Sequence, residues 1–214
     1  MDHFEPIDME TWPRAEIYKQ YTELWTTVTY TFTKRLDVSK LVPYLKQRGI
    51  KLIPALVWLS SRAVNSVENF RLGIQNRELV RWDMVHPLVP AVNSTGNMSF
   101  HSLRHDDSFP AFYEAYLAEQ QEFGDKTNLW ANGPAPDNYF FVSVLPWLEY
   151  DSLSMQLKNA KGYYAPYVAM GKYNKQMELP CTIMVNHATI DGLFVHQFYE
   201  YMQQAMNDPA GWCE

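Results

Sequence analysis

Residues 181–203, CTIMVNHATIDGLFVHQFYEYMQ, run from an apolar stretch through a histidine and an aspartate–glycine pair straight into an amphipathic segment. The apolar stretch reads as a buried strand, and apolar residues at helical spacing after it read as a helix with one face on a core. A strand that runs straight into such a helix calls for a sheet with helices packed on it.

The other segments fill in that layer. TTVTYTFTKRLDV, residues 26–38, alternates with period two, placing Val28, Tyr30 and Phe32 on one face and threonines on the other. PALVWLSSRAVNSVENF opens on Pro54, which suits a helix's first turn, and continues at helical spacing. FRLGIQNRELVRWD predicts a hairpin turning at Asn76, and DDSFPAFYEAYLAEQQEF a second amphipathic helix. NYFFVSVLPW, YYAPYVAMGKY and PCTIMVNHA read as three strands, and residues 193–206 as a closing helix. Strands and helices alternate without a regular βαβ rhythm. The expected fold is therefore α/β in the α+β sense: a mixed, largely antiparallel sheet with helices packed on one face. The linker-like stretch ANGPAPDN at 131–138 is too short to separate one domain from another, so residues 1–214 are expected to form a single domain.

Composition removes several functions. A net charge of −6 with no Lys/Arg cluster is wrong for a phosphate backbone, so no nucleic-acid partner is expected. No apolar run approaches the roughly 18–20 residues that span a bilayer, and the acidic start MDHFEPIDMETW lacks a secretory core. A cytoplasmic protein without a membrane partner is the expectation. Cys181 and Cys213 make neither a disulfide framework nor a zinc site. The aromatic content of 15% suits a packed core, and it also suits interfaces and pockets for flat small molecules.

Two readings of the His187 turn stand side by side. In one, His187 is a hydrogen-bonded structural group, Asp191 caps the closing helix and Gly192 allows a tight turn. In the other, a neutral imidazole is held by the rigid strand end, ready to take a proton from a hydroxyl. Asp191 then pins the turn by pairing with a distant cation. No second histidine or carboxylate stands at ligand spacing beside His187, so no metal is called for.

VNHATIDG resembles the His-x-x-x-Asp-Gly signature of CoA-dependent acyltransferases. NYFFVSVLPW, YYAPYVAMGKY, FRLGI with ELVRWD, and TWPRAEIYKQY near the start are similar, in order, to segments of the chloramphenicol acetyltransferase family. These matches run from about residue 7 to the carboxyl terminus.

The resemblance implies transfer of acetyl from acetyl-CoA, a co-substrate rather than a tightly bound cofactor, to a hydroxyl of chloramphenicol. It places the general base at His187 and the oxyanion-stabilising serine at Ser143. It pairs Asp191 with Arg14 as a structural clamp and sets Lys51 and Lys172 near the CoA phosphates. It assigns the acceptor pocket to Gln20, Tyr21, Trp25, Thr27, Leu153, Met155, Tyr167 and Ala169. It also implies a homotrimer whose sites lie between subunits. Departures gather in the pocket. Gln20 stands where an aromatic is usual, Leu153 for a phenylalanine, Met155 for a leucine and Ala169 for a threonine, while Trp25, Thr27 and Tyr167 also differ from the family's choices. Asn186 replaces a second histidine before the base. The same transfer to another small hydroxylated acceptor, and a non-catalytic ligand-binding protein on this fold, are the alternatives.

Overall fold

The computed structural model describes residues 2–24, 28–156 and 162–213. Its strands are β1 (Phe4–Pro6), β2 (Thr29–Asp37), β3 (Leu72–Gln75), β4 (Glu78–Trp82), β5 (His86–Val92), β6 (Met98–Ser102), β7 (Tyr139–Val144), β8 (Tyr167–Met170) and β9 (Glu178–Asn186). Its helices are α1 (Ala15–Lys19), α2 (Leu41–Gln47), α3 (Leu52–Asn65), α4 (Phe109–Phe123), α5 (Gly192–Asn207) and α6 (Ala210–Cys213). Six strands form a sheet in the order β2-β9-β8-β7-β5-β6, and β1-β4-β3 form a smaller one. The β2/β9, β8/β9 and β5/β6 pairs are antiparallel, and β7 runs parallel to both β5 and β8. The expected mixed, largely antiparallel architecture is the observed one.

The apolar run becomes β9, buried at every position after Glu178 because it lies between β2 and β8. Helices α3 and α5 pack against each other, α3 also against β5 and β7, and α5 against β2. Between them and the sheet lie Phe140, Val142, Val168, Cys181, Ile183 and Phe198, all fully buried. Helix α3 is buried without a break from Pro54 to Ser61, as an interior helix must be. Its two serines stay satisfied: Ser60 Oγ donates to the Leu56 carbonyl, and Ser61 Oγ bonds His105 Nδ1 at 2.9 Å.

Two sequence expectations shift. The helix expected over 54–70 ends at Asn65, whose side chain donates to the Val85 carbonyl and accepts from the Val85 amide. That pair of bonds draws the chain off the helix axis, and a 3₁₀ turn, Glu68–Arg71, follows. The hairpin between β3 and β4 turns at Asn76 as expected, with Asn76 and Arg77 at φ 52° and 69°. Two consecutive left-handed residues make the two-residue loop that matches the twist of its strands.

The amino terminus is clasped to this frame. Asp2 accepts from His86 Nε2 at 2.7 Å, Arg104 at 2.8 Å and Asn138 at 3.1 Å. The His105 amide donates to His86 Nδ1, so the neutral ring carries its proton on Nε2. Burial opposes ionisation of Asp2, but the three donors outweigh it and hold the carboxyl well below its ordinary range. Burial also lowers the pKa of His86, and burial with the nearby Arg62 lowers that of His105 to about 4. Both histidines take up protons more readily unfolded than folded. Stability should be complete above about pH 6.5 and fall as pH drops toward 4, with His105 alone contributing about 2 kcal/mol after allowance for partial solvent contact. Melting temperatures from pH 8 to 4 check this: His105→Asn should flatten the fall between pH 6.5 and 4, and an unchanged slope would refute it.

Candidate active site

The strand ends where its hydrogen bonds turn inward. The His187 amide still donates to the Val28 carbonyl at 2.9 Å, extending the β2/β9 ladder by one residue. Asn186 then builds the turn. Its side-chain oxygen accepts the Ala188 amide, its backbone carbonyl accepts the amides of Thr189 and Ile190, and its side-chain amide donates to the Tyr163 carbonyl. Asparagine at this position thus has a structural task.

His187 Nδ1 lies 2.9 Å from the Ile190 carbonyl oxygen. A carbonyl only accepts, so in the neutral ring Nδ1 carries the hydrogen and Nε2 keeps its lone pair. The ring is held between Tyr30, with centroids 3.8 Å apart at 32°, and Tyr21, 4.6 Å away at 61°. Tyr30 was legible only as one residue of an alternating strand.

Arg14 locks the turn from beneath. Its Nε donates to the Ala188 carbonyl at 3.0 Å, Nη2 to the His187 carbonyl at 2.9 Å and Nη1 to Asp191 Oδ2 at 2.9 Å. The other Asp191 oxygen accepts the Leu193 amide and caps α5, so both readings of this residue describe it at once. The Arg14 side chain is only 9% exposed, against 39% for Asp191. Removing the carboxylate leaves a nearly buried guanidinium short of its counter-charge and α5 without its cap, which destabilises the turn. The expectation that Gly192 serves a tight turn is corrected: its φ is not positive and nothing lies within 4 Å of where a Cβ would stand. Neither backbone strain nor packing requires glycine there.

Ser143 sits on β7, 6% exposed, with no protein hydrogen-bond partner for its hydroxyl among the described residues. It lines a cleft of about 330 Å³ together with Ile53, Tyr116, Trp147 and Tyr167. Across the sheet its register partners are Ala169 in β8 and Thr182 in β9. Lys51, exposed, stands two residues before Ile53. Lys172, also exposed, donates its backbone amide to the Leu148 carbonyl beside Trp147. Leu153 and Met155 are half-buried on the connection after β7, and Gln20 and Tyr21 open a π-helical turn, Gln20–Leu24. Trp25 and Thr27 lie outside the described residues.

Within one chain the two halves stay apart. Register puts Ser143 level with Thr182, whereas His187 lies five residues farther along β9 and two strands over. At about 3.3 Å per residue and 4.8 Å per strand, that separates them by about 19 Å. A hydroxyl poised on His187 is far out of reach of the same chain's Ser143. Among the described residues no group of three or more His, Cys, Asp or Glu could hold a metal ion, and no helix is long and apolar enough to cross a membrane.

Comparison with known proteins finds relatives along nearly the whole chain. A family model described as chloramphenicol acetyltransferase matches residues 2–203. A chloramphenicol acetyltransferase of Staphylococcus aureus is 30% identical, with 98% of this chain and 99% of the relative covered. Chloramphenicol acetyltransferase 3 of Escherichia coli is 28% identical, with 96% and 98% covered. Among solved structures, a chloramphenicol acetyltransferase superposes with a TM-score of 0.86 at 19% identity, covering 95% of this chain and 100% of that one. The dihydrolipoamide acetyltransferase of Azotobacter vinelandii gives 0.67 at 15% identity, with 92% and 88% covered. At these identities the two structures speak to the fold alone.

Proposed function

The chain belongs to the chloramphenicol acetyltransferase family, and from that premise we propose that it moves acetyl from acetyl-CoA to a hydroxyl of chloramphenicol, with His187 as general base. It is an acyltransferase. The observation that carries the mechanism is the tautomer of His187: Nδ1–H is spent on the Ile190 carbonyl, which leaves the Nε2 lone pair, without a hydrogen-bond partner among the described residues, to accept.

The chemistry follows from that lone pair. The acceptor hydroxyl gives its proton to Nε2 as its oxygen bonds the thioester carbonyl carbon. The carbonyl oxygen becomes an oxyanion, and the uncommitted Ser143 hydroxyl is the donor suited to it. The intermediate collapses, the carbon–sulfur bond breaks, and the thiolate recovers the proton from the imidazolium. An acetyl ester and free CoA leave. Arg14 and Asp191 act by holding the turn that orients the ring. Lys51, two residues before Ile53 of the Ser143 cleft, and Lys172, whose backbone bonds Leu148 next to Trp147, are the cations assigned to the CoA phosphates. Tyr21, Gln20, Leu153, Met155, Tyr167 and Ala169 shape the acceptor pocket.

This reading places residues 1–214 in one domain that works as a homotrimer in the cytoplasm. Two features support subunits completing each other's sites. The first is the distance between His187 and Ser143. The second is the face of the sheet turned away from the α3–α5 core, where Phe100, Tyr139, Phe141 and Tyr167 pack as half-buried aromatics beside the half-exposed Trp130. Such a face suits burial against another chain.

Thiol release from acetyl-CoA tests the function. It is expected to depend on added chloramphenicol, with one thiol per ester formed. Release with another hydroxylated acceptor and none with chloramphenicol would assign the altered pocket to that acceptor; silence across an acceptor panel would leave a binding protein.

A further inference from the structure

A directed chain of hydroxyls crosses the face of the sheet turned away from the α3–α5 core. Thr182 Oγ1 donates to the Tyr150 hydroxyl at 3.2 Å, and Tyr150 donates to the Ala169 carbonyl at 2.9 Å. With the Thr182 proton so used, Thr33 is the donor in the 2.8 Å contact between the two threonine hydroxyls. Thr33, Thr182, Ala169 and Ser143 occupy one register line across β2, β9, β8 and β7. The tyrosine therefore plugs into a row of small residues that ends at Ser143.

Tyr150 belongs to the connection that leaves β7 one residue after Ser143. That connection bonds the sheet through the Leu145 amide on the Met170 carbonyl and through the Leu148 carbonyl on the Lys172 amide. Its fit is close. A Cβ at Gly171 would meet the Leu148 oxygen at 2.6 Å and the Tyr150 ring at 2.8 Å, so only glycine lets the loop lie this near. The same stretch carries Trp147, in the Ser143 cleft, and then Leu153 and Met155. Burial raises the Tyr150 pKa to about 12, so its hydroxyl keeps its proton at any working pH. Asp151 next to it pairs with Arg35, but at 93% exposure that ion pair contributes little.

We propose that Tyr150 is a positioning residue for the transfer: its hydroxyl, held between Thr182 and the Ala169 carbonyl, fixes the 145–156 connection and with it the acceptor side of the site. Resting on the proposed reaction, this gives the departure at Ala169 a physical meaning. The strand there offers no side-chain hydroxyl, and its backbone carbonyl anchors the pocket loop instead.

Tyr150→Phe removes the hydroxyl and keeps the ring. The KM for chloramphenicol should rise about five- to tenfold, with kcat within about twofold and the KM for acetyl-CoA little changed. Amide exchange should quicken across 145–156 and stay unchanged in α3 and α5. Thr182→Val, which cuts the same chain of hydroxyls one step earlier, should shift both readouts in the same direction by less. An unaltered acceptor KM with unaltered exchange would overturn the proposal, as would an equal fall in kcat/KM for both substrates with general loosening, which marks a merely structural role. Failure of the proposed reaction would show in the wild type, where exchange over 145–156 still decides whether Tyr150 anchors the loop.

Discussion

Turnover of His187→Ala is expected to fall about 10²–10⁴-fold below wild type while the protein keeps its fold. Among the described residues the imidazole makes one hydrogen bond, to the Ile190 carbonyl, and two ring contacts, to Tyr30 and Tyr21. The bonds that build the turn come from backbone groups and from Asn186 and Arg14, all of which alanine leaves in place. A melting temperature within a few degrees of wild type, with thiol release near background, is the expected pair of results. Turnover within tenfold of wild type in a folded variant would remove His187 from the mechanism.

That prediction draws on what was legible in the sequence. A strand running into a helix across HATIDG is a local pattern, and β9, the turn and α5 appear where it puts them. The Asn76 hairpin was legible for the same reason, since two residues between strands leave few backbone choices. Strand β5 was not: HPLVPAV carries Pro87 and Pro90, which withhold two ladder donors and hide a strand lying between β6 and β7. The buried clasp of Asp2 on His86 joins residues far apart in the chain, and no spacing rule reaches across it. Tyr30 against His187 was hidden because an alternating strand names a face and not a neighbour. Most consequential is the register across β7, β8 and β9. Motifs read one by one invite a single compact constellation of His187 and Ser143, whereas strand pairing puts them two strands and five residues apart.

From that separation comes a second large effect. Ser143→Ala should cost about 10²–10³ in turnover through loss of the oxyanion donor. Co-expressing His187→Ala and Ser143→Ala chains under different affinity tags should nonetheless produce an active protein. In a ring of three where each site takes the histidine from one chain and the serine from its neighbour, any mixed trimer holds one site with both groups intact. Random assembly from equal pools makes about three-quarters of the trimers mixed, so about a quarter of all sites are whole and turnover should recover to about a quarter of wild type. Trimers purified through both tags should reach about a third. Sites formed within single chains give no recovery, because every chain then lacks one of its two groups. Activity of the mixture no higher than that of Ser143→Ala alone, with both tags present in one particle by light scattering and pull-down, would leave the gap of about 19 Å to be closed by movement within the chain. Edge strand β2 has β9 as its only sheet neighbour among the described residues, so its outer side is open to another chain. A neighbour docked along that edge would lie beside the residue that ends β9, His187, and it is there that the neighbour's Ser143 cleft has to open.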